Sequence, residues 1–185
     1  MKLDRRLNLV IPIELGETAK AYVHSMPITQ DVFEQYFWTL SKTFTAIYNG
    51  MGIISGPRVA AMVLKRIAIQ EGEWTGDSGI ENGLMNEIRR RTNVLMAGPK
   101  GWETLPFQEA KDTGKLDPQD CAEVENALVF FTVASSIHQK KDLPAIWEGL
   151  KMYWAAETSS LDCTAYATFL RTSTETGNSG GKATP

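Results

Sequence analysis

Large apolar residues recur at three- and four-residue steps along one stretch of the chain: Phe33, Tyr36, Phe37, Leu40, Phe44, Ile47 and Tyr48. That period places them on one face of a helix over residues 29–48. Thr29 stands where a side-chain oxygen caps unpaired backbone N–H groups. Asp31 and Glu34 set negative charge near the positive end of the helix dipole. Asn49-Gly50 supplies residues that tolerate the left-handed backbone closing many helices. The stripe is read as core, each buried ring contributing at roughly 25 cal/mol per Å² removed from water.

The residues before it follow a different rhythm. Positions 7–15 alternate loosely and are rich in Val, Ile and Leu, which predicts a strand; Pro12 makes it an edge strand or a bulged one. Gly16-Glu17-Thr18 turns the chain, and Ala21 to Ser25 return antiparallel, giving a small hairpin within residues 1–28. A lone hairpin is marginal in water, so this one must lean on helices or on a neighbouring subunit.

Beyond the first helix, Gly50-Met51-Gly52-Ile53-Ile54-Ser55-Gly56-Pro57 has the look of a glycine-rich phosphate loop. Such a loop follows a strand and opens a helix, whereas a helix precedes this one and no Gly-Lys-Ser/Thr follows, so it reads as a connector. Pro57 suits the first turn of a second helix with Val59, Ala60, Val63, Ile67 and Ala68 inside. Residues 71–79 read as a loop, and a third helix is expected over 80–96 on Leu84, Met85, Ile88 and Leu95. Its Arg89-Arg90-Arg91 reads first as a solvated face, then as a partner patch. Residues 98–116 form the longest irregular connection, with a short helix near 107–112. Asp117-Pro118 starts a strong helix to about residue 139, with Val124, Ala127, Leu128, Phe131, Ala134 and Ser135 inside. Further helices are predicted over 144–156 and 161–170. The polar stretch 172–185 has too little apolar mass to offset its ordering entropy and is expected to be disordered.

These elements give a mainly α fold: a helical, bundle-like domain of five to six helices (29–170) with a small N-terminal β-hairpin (1–28), one globular unit over 1–171, and a flexible tail. At 185 residues the chain is long enough for a full core. A net charge of −3 argues against a dedicated nucleic-acid or anionic-membrane surface. No stretch approaches the ~18 apolar residues that span a bilayer, and the N-terminal apolar run lacks a cleavage site.

Candidate chemistry is sparse. Two histidines, His24 and His138, leave little room for a zinc site, and neither has a neighbour defining a triad. Cys121 and Cys163 read as reduced, packed thiols in preference to a disulfide; Cys163 beside Asp162 at a helix start is a weak nucleophile candidate without a base. Asp117, Asp120 and Glu123 crowd a helix N-terminus, where the dipole explains them. No catalytic, cofactor or metal residue is assigned, and the chain is read as a non-enzyme. Trp38, Trp74, Trp102 and Phe130 lie off the predicted core stripes. Either helices bury a second face there, or the aromatics form an interaction surface.

The opening Leu3-Asp4-Arg5-Arg6-Leu7-Asn8-Leu9-Val10-Ile11-Pro12-Ile13, then Tyr22 to Ser25 and Val32 to Phe37, is one group of residues that carries a resemblance; Ser160 to Thr164 with Phe169 to Thr174 is another, and Gly181-Lys182 a third. Together they resemble the phage tail assembly chaperones of the lambda-like group. The resemblance implies a helical, non-enzymatic protein in the host cytoplasm that coats hydrophobic stretches of the tape-measure protein while the major tail protein polymerises. It needs no cofactor, nucleic acid or membrane, and homo-oligomerisation is left open. Client contact is expected at Trp38, Trp74 and Trp102. Gly181-Lys182 marks a candidate frameshift position, since these chaperones often have a longer slipped product. The alternative is a structural virion subunit, of tail-completion or head–tail connector type, whose hairpin augments a neighbour's sheet. A helical DNA-binding regulator and an enzyme rank below these.

Overall fold

The computed structural model describes residues 2–3, 9–15, 19–98 and 101–137. The turn at 16–18, the helices expected over 144–156 and 161–170, His138, Cys163, Gly181, Lys182 and the 172–185 stretch lie outside the described residues.

The N-terminal hairpin is part of a larger sheet. Strands β1 (Lys2–Leu3), β2 (Leu9–Leu15), β3 (Ala19–Ser25), β4 (Thr92–Gly98) and β5 (Gly101–Pro106) lie side by side in chain order, all antiparallel. Four of them are full strands and β1 is a two-residue edge piece. Between β3 and β4 run helix α1 (Gln30–Ala46), a π-helical segment (Ile47–Met51), helix α2 (Gly52–Gln70), a second π-helical segment (Glu81–Met85) and helix α3 (Asn86–Arg90). Helices α4 (Phe107–Asp112) and α5 (Pro118–Ile137) follow β5.

This corrects the expected helical bundle with a small hairpin. The segment read as the end of a third helix, Thr92 to Met96, is a strand in which Thr92, Val94 and Met96 are buried and Asn93 and Leu95 half-buried. Its period is two, the signature of a strand with one buried face. Leu95, assigned to a helix face, pairs with Tyr22 on β3 and Thr104 on β5. The irregular connection expected after residue 98 begins as β5, with Gly98 opposite Gly101 at the hairpin end. Gly101 has φ +119°, a conformation costly for any residue with a Cβ. The short helix expected near 107–112 is present as α4. The hairpin therefore leans on a third strand of its own chain. The junction is fixed at Thr92, whose hydroxyl lies 2.7 Å from the Ile88 carbonyl and 2.9 Å from the Ser25 hydroxyl, while the Met26 amide donates to the Arg91 carbonyl.

One face of the sheet meets the helices. Leu9, Ile13, Ala21, Val23, Val94 and Met96 join Leu40, Ala60, Leu64, Ile88, Phe107, Leu128 and Phe131 in a single core. The first helix does not end at Asn49-Gly50: the chain stays helical through the π segment into α2, and Pro57 lies inside α2 rather than in its first turn. Thr29 makes no side-chain cap bond, although its carbonyl accepts from the Phe33 amide. Asp117 does cap α5, its Oδ1 accepting from the Asp120 amide at 2.7 Å. From Leu128 to Ala134 every residue of α5 is buried, so this helix runs through the middle of the helical layer. Phe130, expected off the core, is among them.

Candidate interaction surface

The first helix divides its apolar residues between two directions. Tyr36, Leu40 and Ile47 are buried, together with Thr39 and Thr43. Phe37 is 39% exposed, Tyr48 58% and Trp38 73%. Read as one core stripe, the seven predicted positions span a wider arc than the roughly 100° a helix packed on one side buries. Tyr36 and Phe37, a full residue step apart, cannot both point inward. The surplus forms two ring ladders. Phe33 meets Phe37 edge-on at 5.6 Å and Phe37 meets Trp38 at 5.5 Å, while Phe44 stacks on Tyr48 at 5.9 Å. Phe33 and Phe44 are half-buried, so each ladder is anchored in the core at one end and wet at the other.

The three tryptophans do not share one environment. Trp38 projects from α1. Trp74 packs on the core from the loop after α2, with the Lys65 ammonium 5.1 Å from its ring centroid. Trp102 lies half-buried on β5, its ring 5.7 Å from Tyr22. Sequence reasoning missed Phe37 and Tyr48 as surface residues; the arc width of the stripe was the signal for them.

The arginine run is not a solvated face. Arg89 is paired with Glu125 on α5 at 3.0 Å and is only 17% exposed; Glu125 also accepts from Lys111 of α4 at 3.0 Å. Arg91 donates to Glu87 Oε1 at 2.6 Å and Arg90 to Oε2 at 2.6 and 2.9 Å. Only Arg90 faces water, at 74%. Burial pushes the Glu87 carboxyl up, but the hydrogen bonds and charges of Arg91 and Arg90 outweigh it and hold it below the usual carboxylate range. A depressed carboxylate stabilises the fold above its unfolded value, 4.5, and that contribution is lost as pH falls through the lower folded value. Glu87→Gln is accordingly expected to cost about 1–3 kcal/mol at pH 7. The difference from the parent should shrink in urea titrations below pH 4, and a difference unchanged at pH 3 would contradict the assignment.

Among the described residues no group of three or more His, Cys, Asp or Glu is placed to hold a metal, and no helix is long and apolar enough to cross a membrane. Cys121 is buried, and burial pushes its thiol up. An open cleft of about 690 Å³ lies where Ile11, Pro12 and Ile13 of β2 meet Pro57 and Arg58 of α2 and Asp120 and Glu123 of α5. Asp120 is raised by burial and by the neighbouring Asp117 and Glu123, the opposite of the lowering that a helix N-terminus alone would give, so the dipole does not account for this cluster. Compared with known proteins, the chain matches no family model, no curated protein and no solved structure.

Proposed function

We propose that this chain is a non-enzymatic phage tail assembly chaperone that holds hydrophobic segments of a tape-measure protein during tail morphogenesis. The observation that supports this most is the wet aromatic ladder on α1, where Phe37 and Trp38 stand 39% and 73% exposed on a well-anchored helix. Exposed aromatics grouped in this way mark interaction sites and are the residue types that dominate binding energy. Of the three tryptophans proposed for client contact, Trp38 carries the reading, because Trp74 and Trp102 are half-buried against their own chain. The client it suits is an amphipathic helix laid along α1, engaging rings spaced one turn apart.

The structural-virion alternative relies on strand addition through the hairpin. Strand β3 already has neighbours on both sides, and β2 carries Pro12 and pairs at its outer side with β1. Pro12 has no N–H and sits in the ladder with β3 only if its nitrogen faces the outer edge, which blunts that edge for a further strand. The client reading is therefore preferred. Co-expression of the chain with a tape-measure segment tests it. The Phe37→Ser/Trp38→Ser variant is expected to recover at least about tenfold less client than the parent, the loss of two hot-spot rings at ~1.4 kcal/mol or more in total. Undiminished recovery would sink the proposal.

A further inference from the structure

Helix α2 carries an exposed face of a different composition from that of α1. Arg58, Met62, Lys65, Arg66 and Ile69 are all exposed, Met62 at 60% and Ile69 at 55%. At 3.6 residues per turn these positions fall within an arc of about 100°, opposite the buried Ala60, Leu64 and Ala68. Three of the five are cationic, and α2 contains no Asp or Glu, in a chain whose net charge is −3. Among the described residues none of the three cations is held in an ion pair. Lys65 lies over the half-buried Trp74 ring at 5.1 Å, and Arg58 shares the cleft with Asp120 and Glu123 without an ion-pair contact to either. The nearest acids along the chain, Glu71 and Glu73, are already engaged by Lys42 and Thr39. Exposed cations alone are ordinary. This face is set apart by Met62 and Ile69, which stand among the charges two turns, or about 10 Å, apart.

We infer that this face of α2 docks an acidic amphipathic helix of a partner protein. Apolar residues of that helix, also two turns apart, cover Met62 and Ile69, and its carboxylates meet Arg58, Lys65 and Arg66. The planar guanidinium of Arg66 takes a carboxylate in two parallel hydrogen bonds, which fixes orientation as well as adding attraction. Complementary charge of this kind selects the partner and sets its register. A membrane surface fits less well, because an interfacial helix sinks its whole apolar face among the headgroups, and here Ala60, Leu64 and Ala68 are committed to the core. A nucleic acid would satisfy the cations but set Met62 and Ile69 against a charged backbone. With two apolar anchors the complex is weak and salt-sensitive, with a dissociation constant on the order of 10–100 µM near ~0.1 M salt. This surface is independent of the aromatic face of α1: failed client capture leaves it standing, and its own failure leaves client capture standing.

Fluorescence anisotropy on the full chain tests the inference. The probe is a labelled synthetic helix of about fifteen residues, with leucines two turns apart and glutamates between them on the same face. It is expected to bind, and to lose at least about tenfold in affinity between about 0.1 M and 1 M salt, as the screening length falls from ~10 Å to ~3 Å. Arg66→Glu should weaken binding about tenfold and Met62→Gln about fivefold. Lys115→Glu, at a lysine beyond α4 whose side chain is 42% exposed, should leave it unchanged. Circular dichroism and urea midpoints confirm that the variants fold. The same peptide with lysine in place of glutamate should not bind. No binding of the glutamate peptide, equal binding of the lysine peptide, full binding by Arg66→Glu, or an equal loss with Lys115→Glu would each overturn the inference. So would tighter binding of duplex DNA or of phosphatidylserine vesicles that Arg66→Glu abolishes.

Discussion

Gly83→Ala is expected to lower the unfolding free energy by about 2–4 kcal/mol, although alanine is the better helix former. A Cβ at position 83 would stand 1.6 Å from the Tyr36 hydroxyl oxygen and 2.6 Å from the carbon that bears it. Tyr36 cannot simply swing away. It is 7% exposed, sits at the kink of α1, donates to the Ser78 carbonyl at 3.1 Å and accepts from Gln35 Nε2 at 3.0 Å. Burial pushes this phenol up, with the Gln35 bond acting the other way, so at neutral pH it remains the donor that the Ser78 carbonyl needs. Displacing it breaks that bond and strains the packing of α1 on the π segment Glu81–Met85. Gly50→Ala is the control: a Cβ there meets nothing within 4 Å, and the change should be neutral or stabilising by up to ~1 kcal/mol. The double variant Tyr36→Phe/Gly83→Ala removes the clashing oxygen and should be less damaged than the sum of the single changes. Urea denaturation of the four variants measures this coupling, and strict additivity would mean that the two residues do not meet.

The helical half of this architecture was legible because its signals are local. The Asp117-Pro118 start, the long apolar run of α5 and the apolar face of α1 depend on residues within a turn or two of each other. The π segments were not legible: one extra residue in a turn shifts the phase of everything after it while leaving composition untouched. Asn49-Gly50 looked like an end and Pro57 like a beginning because these residue types commonly punctuate helices, whereas here the chain stays helical through both. Strands β4 and β5 were hidden for another reason. Leu84, Met85, Ile88 and Leu95 fit a helical period over a short window, and Thr92-Asn93-Val94 alternates for too few residues to compete. What makes residues 92–98 a strand is the presence of β3, nearly seventy positions earlier at the Ser25–Thr92 pair. The aromatic surface was half legible. Trp38 stood out by being off-stripe, while Phe37 and Tyr48 were absorbed into a stripe too wide for one side of a helix to bury. The arginine run misled because Glu87, a local partner three and four residues away, was passed over, and because Glu125 on α5 could be recognised only once α3 and α5 were known to touch.

The region that sequence patterns left as a long connection is where a single truncation should cost most. Phe107→Ala is expected to destabilise the fold by about 3–5 kcal/mol, a large share of the 5–15 kcal/mol a domain has in total. Phe107 is fully buried, the first residue of α4, and follows Pro106, whose φ of −54° and extended ψ turn the chain off the edge strand β5 into the core. Its ring belongs to the cluster that includes Ile88, Val94 and Leu128, so it ties β5 to β4, α3 and α5 at once. Removing it leaves a cavity among elements that cannot collapse independently, since Lys111 of α4 and Arg89 of α3 are both held on Glu125. In a loosely packed connection the same change would cost under ~0.5 kcal/mol. A urea midpoint lowered by several kilocalories' worth, at unchanged m-value, is the expected result. A midpoint that barely moves would mean that residues 98–116 are not part of the cooperative fold, and the sheet would then have to end at β4.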